Sequence, residues 1–158
     1  MRRKDREITD IKIIRDIIDK ADVVHIAMYD GKQSYIVTMN FGYEEVGEEM
    51  IFYMHCANEG RKLDILKKNP DVCFELDIDR VLKDAPNACG WSMFFKSVVG
   101  YGKVTIINEN PAKSKGLSIL MDHYDRDGKS TPYDFSKFID MTTILKLTVD
   151  SMSCKIKS

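Results

Sequence analysis

Hydrophobic positions recur at two different periods along the chain, and the switches between them mark out its elements. Ile11, Ile14, Ile17, Ile18 and Ala21 fall at helical spacing, and Thr9 stands where a capping hydroxyl would start a helix over about 10–21. Val23 to Tyr29 is a first strand ended by the turn pair Asp30-Gly31. Gln33 to Phe41 alternates, with Tyr35, Val37, Met39 and Phe41 on one face and Ile36, Thr38 and Asn40 on the other. That is the pattern of a half-buried strand. GYEEVGEE reads as a polar turn, and Met50 to Cys56 as a third strand.

Arg61 to Lys68 predicts a short helix with Leu63 and Leu66 turned inward. Asn69-Pro70 ends it, because the residue before proline is pushed out of the α region. Val72 to Ile78 is a fourth strand, residues 79–91 a loop, and Ser92 to Asn108 a long strand or bent pair in which Gly100 and Gly102 permit a bulge. Pro111 opens a helix with the stripe Leu117, Leu120, Met121 and Tyr124. DRDGKSTP is expected as a loop, Asp134 to Met141 as a short helix and Thr142 to Val149 as the last core strand. At least six strands with few helices between them argue against a doubly wound sheet. A mostly antiparallel barrel or curled sheet, one domain over residues 1–158, fits better.

Composition removes several function classes. The 158 residues carry 24 Lys plus Arg and 25 Asp plus Glu, a formal charge of -1, which gives no electrostatic footprint for nucleic acid. No apolar run approaches the roughly 20 residues of a membrane span, and the charged start leads into no signal-peptide core, so a cytoplasmic protein is expected. Cys56, Cys73, Cys89 and Cys154 form no zinc pattern, and His25, His55 and His123 form no HExxH-type pair, so no metal site is expected. GxSxG, Walker A and the dinucleotide fingerprint are absent.

The remaining chemistry gathers at HCANEGRKLDILKKNPDVCFELD, His55 to Asp77. Arg61 and Lys62 follow Gly60 at a strand-to-helix junction. Glycine allows close approach of backbone to a ligand, arginine offers a planar fork to phosphate and lysine a point charge. Two ordinary solvated cations on a helix are the competing reading. Cations in a first helical turn are locally unfavourable, which tilts the balance towards an anion guest. Thr38 and Asn40 share a polar strand face able to hydrogen-bond a ligand; a solvated face is the alternative there.

YIVTMNF (35–41), IFYMHCANEGRKLDILKKNPDVCFELD (51–77), SVVGYGKV (97–104) and a strand near the C-terminus together resemble the FMN-binding split-barrel superfamily. The similarity lies with the pyridoxamine 5'-phosphate oxidase-related branch that includes nitroimidazole-resistance proteins. It implies a mainly β fold, a six-stranded antiparallel split β-barrel with peripheral helices. It also implies a homodimer with FMN at the interface, touched by both subunits. By resemblance, Arg61 and Lys62 match the phosphate-binding pair, and His55 and Cys56 the phosphate and ribityl side. Val37, Thr38, Met39 and Asn40 match the strand facing the isoalloxazine ring. Lys96 and Ser97 match the segment that reaches the ribityl and ring from across the cleft.

A flavin carries its own redox chemistry, so a protein of this kind supplies position, electrostatics and access. His55 is the one histidine the resemblance places beside the chemistry, as proton donor, substrate guide or phosphate ligand; a structural hydrogen bond is the plainer reading. Trp91, Phe94 and Phe95 are expected in core, cleft wall or dimer interface. SMSCKIKS contains no equivalent of the basic C-terminal segment that holds substrate in pyridoxamine 5'-phosphate oxidase. The resemblance therefore implies an FMN-dependent reductase of a small, nitroimidazole-like compound rather than that oxidase. A non-catalytic FMN carrier, a haem-binding relative and a cofactor-free dimeric module are the other classes.

Overall fold

Alternating burial marks β2 and the first half of β6, whereas the strand over Met50–Met54 is buried on both faces, against the main core and against a second cluster around Leu117. The computed structural model describes residues 3–125, 127–128 and 133–158. In order the elements are β1 (Glu7–Ile8), α1 (Ile11–Lys20), β2 (Val24–Tyr29), β3 (Ser34–Met39), β4 (Gly42–Val46), β5 (Glu49–Ala57), α2 (Arg61–Leu66), β6 (Asp71–Lys83), β7 (Ser92–Ile107), α3 (Asn110–Tyr124) and β8 (Thr142–Lys157). One antiparallel sheet of eight strands, rather than six, runs β3-β2-β6-β7-β8-β5-β4, with β1 added to β8.

The sheet curls. β5 and β6 are three places apart in strand order, yet the Phe52 and Phe74 rings meet at 5.2 Å between centroids. Inward residues of six strands join them in one core, including Ile26, Met39, Met54, Leu76, Val98, Leu147 and Cys154. The edges β3 and β4 are left unpaired with each other, and the chain steps between them through Asn40-Phe41. Tyr124 at the end of α3 holds this split. Its hydroxyl accepts from Asn40 Nδ2 and the Phe41 amide, both at 3.1 Å, and donates to the Asp22 carbonyl at 2.7 Å. Gly42 permits the approach of α3, since a Cβ there would lie 2.3 Å from the Ile119 carbonyl oxygen.

Several local expectations are corrected. Asp10, not Thr9, caps α1, its carboxylate accepting from the Lys12 amide at 2.9 Å. Ile14, Ile17 and Ile18 are buried but Ile11 is exposed. GYEEV is strand β4, paired with β5, and its Glu44 and Glu45 are met by Lys115 of α3 and Arg15 of α1. β6 continues through the expected loop to Lys83 by way of a bulge between Ile78 and Val81, where Asp79 takes φ 55°. The stretch expected as a bent pair is one strand, β7, with a bulge at Tyr101/Gly102. β8 runs on to Lys157 rather than ending at Val149. Residues 134–141 give only a single 3-10 turn, Ile139–Met141. In α3, Lys113 and Gly116 are buried beside Leu117 and Leu120, while Met121 is exposed. In the expected loop DRDGKSTP, residues 126 and 129–132 lie outside those described. No helix among the described residues is long and apolar enough to cross a membrane.

Candidate functional site

The quoted stretch builds one corner of the barrel. β5 ends at Ala57, and Gly60 adopts φ 134°, a conformation side chains resist, to turn the chain into α2. The Gly60 carbonyl accepts the Leu63 amide at 2.9 Å. α2 stops at Leu66 rather than Lys68, with Lys67 and Asn69 still bonding back to the Leu63 and Ile65 carbonyls. It buries Leu63, Ile65 and Leu66 in the core. That anchorage leaves Arg61 and Lys62 at a fixed place on the rim.

Arg61 is held on two sides. Its Nη2 donates to the Asp30 carboxylate at 2.9 Å, and its guanidinium lies 4.5 Å from the centroid of the Tyr35 ring. Asp30 accepts from the Gln33 and Lys32 amides, each at 2.8 Å, and these bonds with Arg61 draw its pKa down to about 2. The guanidinium borders a cleft of about 450 Å³ that also takes in Tyr29, Asp64, Ile65, Lys68 and Asn69. Lys62, half-buried, makes no ion pair with a described residue. Its charge is felt by both His55 and Cys56. Burial and then Lys62 lower the His55 pKa; burial raises that of Cys56, with Lys62 opposing. His55 is therefore biased towards its neutral form.

The other expected site residues divide. On β3, Val37 and Met39 turn inward against the core, Thr38 is exposed on the outer face, and Asn40 is engaged by Tyr124. Lys96 pairs with Asp79 at 2.7 Å, and Ser97 stands across from Asp77 and Lys155. Ser97 pairs with Lys155 near one end of β8, whereas Cys56 and Ala57, which lead into α2, pair with Thr143 and Thr142 at the other, so within one chain Lys96 and Ser97 do not join the α2 corner. The structure thus gathers Arg61, Lys62, His55 and Cys56 around α2 and leaves the rest distributed along the sheet.

Asp30 and Tyr35 were not among the expected site residues. Asp30 was legible only as a turn residue, and nothing in its sequence position pointed to an arginine 31 residues away. His25, expected to be without a role, binds Glu75 through Nδ1 at 3.1 Å. Trp91 is 53% exposed, so it is not core. Lys83 and Lys155 lie over the Phe94 and Phe95 rings at 5.5 and 5.3 Å. No cluster of metal-binding side chains occurs among the described residues.

Comparison with known proteins agrees with this architecture. The pyridoxamine 5'-phosphate oxidase family profile matches residues 10–156. A candidate 5-nitroimidazole antibiotic resistance protein from Bacteroides thetaiotaomicron is similar at 32% identity and a TM-score of 0.78, over 95% of this chain and 86% of that one. The flavocytochrome Anf3 from Azotobacter vinelandii shares the fold at 21% identity and a TM-score of 0.78, over 100% of this chain and 72% of its own. A FAD and heme binding protein from Mycobacterium smegmatis does so at 18% and 0.78, over 97% and 74%. No curated protein matches the chain.

Proposed function

Because the chain belongs to the pyridoxamine 5'-phosphate oxidase family, we propose that it binds FMN and serves as an oxidoreductase for a small nitroaromatic compound. The observation that carries this reading is the Arg61–Lys62 corner. Arg61 is pre-oriented by Asp30 and Tyr35, so a phosphate meets a guanidinium whose position is already set. Lys62 adds a second positive charge from the same turn of α2, unspent on any described carboxylate. The pair fits a dianionic phosphate monoester, and FMN rather than a dinucleotide has that terminal group. When bound, FMN supplies the electron transfer.

The chain's own residues then do three things. Arg61 and Lys62 fix the phosphate. By resemblance β3 from Val37 to Asn40, with Cys56, supplies the path from that corner to the ring; Thr38 offers a polar group on the exposed face, while Val37 and Met39 turn to the core and Asn40 Nδ2 is given to Tyr124, so these three serve through the strand backbone. His55, biased to neutrality, meets the substrate beside the cofactor without adding charge. Lys96 and Ser97 stand at the far end of the sheet from α2 in their own chain, and by resemblance they reach the cofactor from a second copy, so that the working unit of this reading is a homodimer. The 32% identical relative, named for 5-nitroimidazole resistance, supports the choice of substrate class.

The test is an absorption spectrum of the purified protein followed by titration with FMN and riboflavin. FMN is expected to bind far more tightly than riboflavin, with the difference largely lost in Arg61→Ala. Binding without turnover of nitro compounds by any reduced donor would leave a flavin carrier. A Soret band with no flavin would replace the reading by a haem protein.

A further inference from the structure

The cleft beside α2 continues past Arg61, and the groups beyond that arginine have no part in the fold's own bonding. Tyr29, at the turn from β2 to β3, stands on one wall; Asp64, Ile65, Lys68 and Asn69, on α2 and just past it, form the other. Asp64 and Lys68 are four apart in the acid-before-base order that favours pairing along a helix. Asp16 and Lys20 of α1 have the same spacing and meet at 2.7 Å. Asp64 and Lys68 make no ion pair with a described residue. The cause is the end of α2. The helix stops at Leu66, and the Lys68 amide bonds back three residues to the Ile65 carbonyl at 2.9 Å, a tighter turn that takes Lys68 off the helical line.

Asn69 is fixed as a donor. Its Oδ1 accepts from the Asp71 amide at 3.1 Å, so Nδ2 is the edge left over. The Tyr29 side chain is half exposed, and the buried Ile65 gives the cleft an apolar floor. An ammonium, an amide donor, a carboxylate that only accepts and an aromatic face thus share about 450 Å³, within the roughly 300–1,000 Å³ of small-ligand sites. A zwitterion would use the two charges and leave the ring and the amide idle. An anion that also has hydroxyls to donate and a flat ring to stack uses all four, and those parts in one molecule make a nucleoside phosphate.

We propose that this cleft is a subsite for a purine nucleoside phosphate. Lys68 and Asn69 Nδ2 meet the phosphate, Asp64 accepts from the ribose hydroxyls, and the base lies against the Tyr29 ring over Ile65. The cofactor proposed above adjoins it at Arg61 without sharing it, since Lys62 acts towards His55 and Cys56. That the nucleotide is the adenylate half of a reduced nicotinamide dinucleotide, the donor to the flavin, rests on the function proposed above; the subsite does not. In that role the dinucleotide gives a hydride to the flavin, one proton comes from solvent, and the oxidised dinucleotide leaves.

The test adds AMP to the purified protein, with and without FMN, and follows the Asn69 side-chain amide and Tyr29 ring signals by NMR. Both are expected to move with saturation, and FMN is expected not to displace AMP. Lys68→Met, at an exposed position, should weaken AMP about tenfold or more and leave FMN affinity unchanged. Asp64→Asn should weaken AMP but not the analogue that lacks both ribose hydroxyls. With FMN bound, Lys68→Met should raise the NADH concentration that half-saturates flavin reduction and spare the limiting rate. No saturable movement of the two signals, or wild-type AMP affinity in both variants, overturns the proposal. So does AMP that FMN displaces, or that only Arg61→Ala weakens, because the nucleotide then sits in the place of the cofactor phosphate. Weakened AMP with an unchanged NADH requirement upholds the subsite and overturns the donor's use of it. FAD bound more tightly than FMN, with the difference lost in Lys68→Met, upholds the subsite and gives it to the cofactor. AMP binding with no FMN binding upholds the subsite and overturns the proposed cofactor.

Discussion

The cleft between α1, β4 and α3 and the cleft beside α2 enclose about 480 and about 450 Å³. The first is the richer in ionisable groups, with Arg15, Asp19, Glu44, Glu45, Asp122 and His123 on its walls. Nearly all of that charge is already used within the fold. Arg15 donates to Glu45 at 2.6 Å, Tyr43 to Asp19 at 2.8 Å, and Lys115 and Tyr53 to Glu44 at 2.6 and 2.7 Å. His123 Nε2 is 2.8 Å from the Ala21 carbonyl. These pairs bind a helix to β4 from either side. Beside α2 the Asp30 carboxylate orients the Arg61 guanidinium, while Asp64 and Lys68 on the same walls make no ion pair with a described residue. Size does not separate the two clefts, and the one with more charge is the one whose charge is spent.

Four experiments bear on that contrast. Gly42→Ala puts a Cβ against the α3 backbone and is expected to cost about 3 kcal/mol, read as a lower urea midpoint. FMN affinity of the folded protein should be unchanged; a parallel loss would mean the two clefts are one unit. Arg61→Ala should cost about 2 kcal/mol of FMN binding, roughly thirtyfold in Kd, with little change for riboflavin or for stability. Equal loss for both ligands removes the phosphate assignment. Glu44→Gln should lose about 1 kcal/mol of stability and no flavin affinity. Burial opposes ionisation of Glu44, but its bonds from Lys115 and Tyr53 outweigh that and lower its pKa.

The fourth effect is the smallest and depends on pH. Asp30 has a folded pKa of about 2, below that of an unfolded aspartate. Its contribution to stability is thus full above the unfolded value and fades as pH falls towards about 2. Asp30→Asn should destabilise the protein at neutral pH, and the difference should close across that acid window in urea unfolding. A constant difference from pH 7 to pH 2.5 would mean that the Arg61 tether and the turn bonds do not depend on the Asp30 charge.

The sequence was most informative where a single element contains its own reason. The alternation of 35–41 and the Gly60-Arg61-Lys62 junction both predict what is found, because pleat and turn are local. Residues whose partners come from far away were harder to read. β4 looked like a turn since Glu44 and Glu45 seem misplaced until Lys115 and Arg15 arrive from other elements. The strand beyond Ile78 was hidden by the Asp79 bulge, which breaks the period of two. Asp30 and Tyr35 gained their roles only when the β2–β3 hairpin was laid beside α2. The His25–Glu75 pair spans 50 residues of chain and two strands, so no window along the sequence contains it.

The Asp79 bulge has one more result. Past it, β6 and β7 pair only with each other, Val81 to Lys83 against Ser92 to Phe94, while β8 first joins β7 at Phe95. The rest of the sheet takes no register from this two-stranded arm, and its Val81, Leu82, Trp91 and Met93 project into open space. For an evolving lineage that is ground where residues can be inserted, deleted or exchanged at small cost to the barrel. New recognition can be tried at the tip of the arm while the inherited core continues unaltered beneath it.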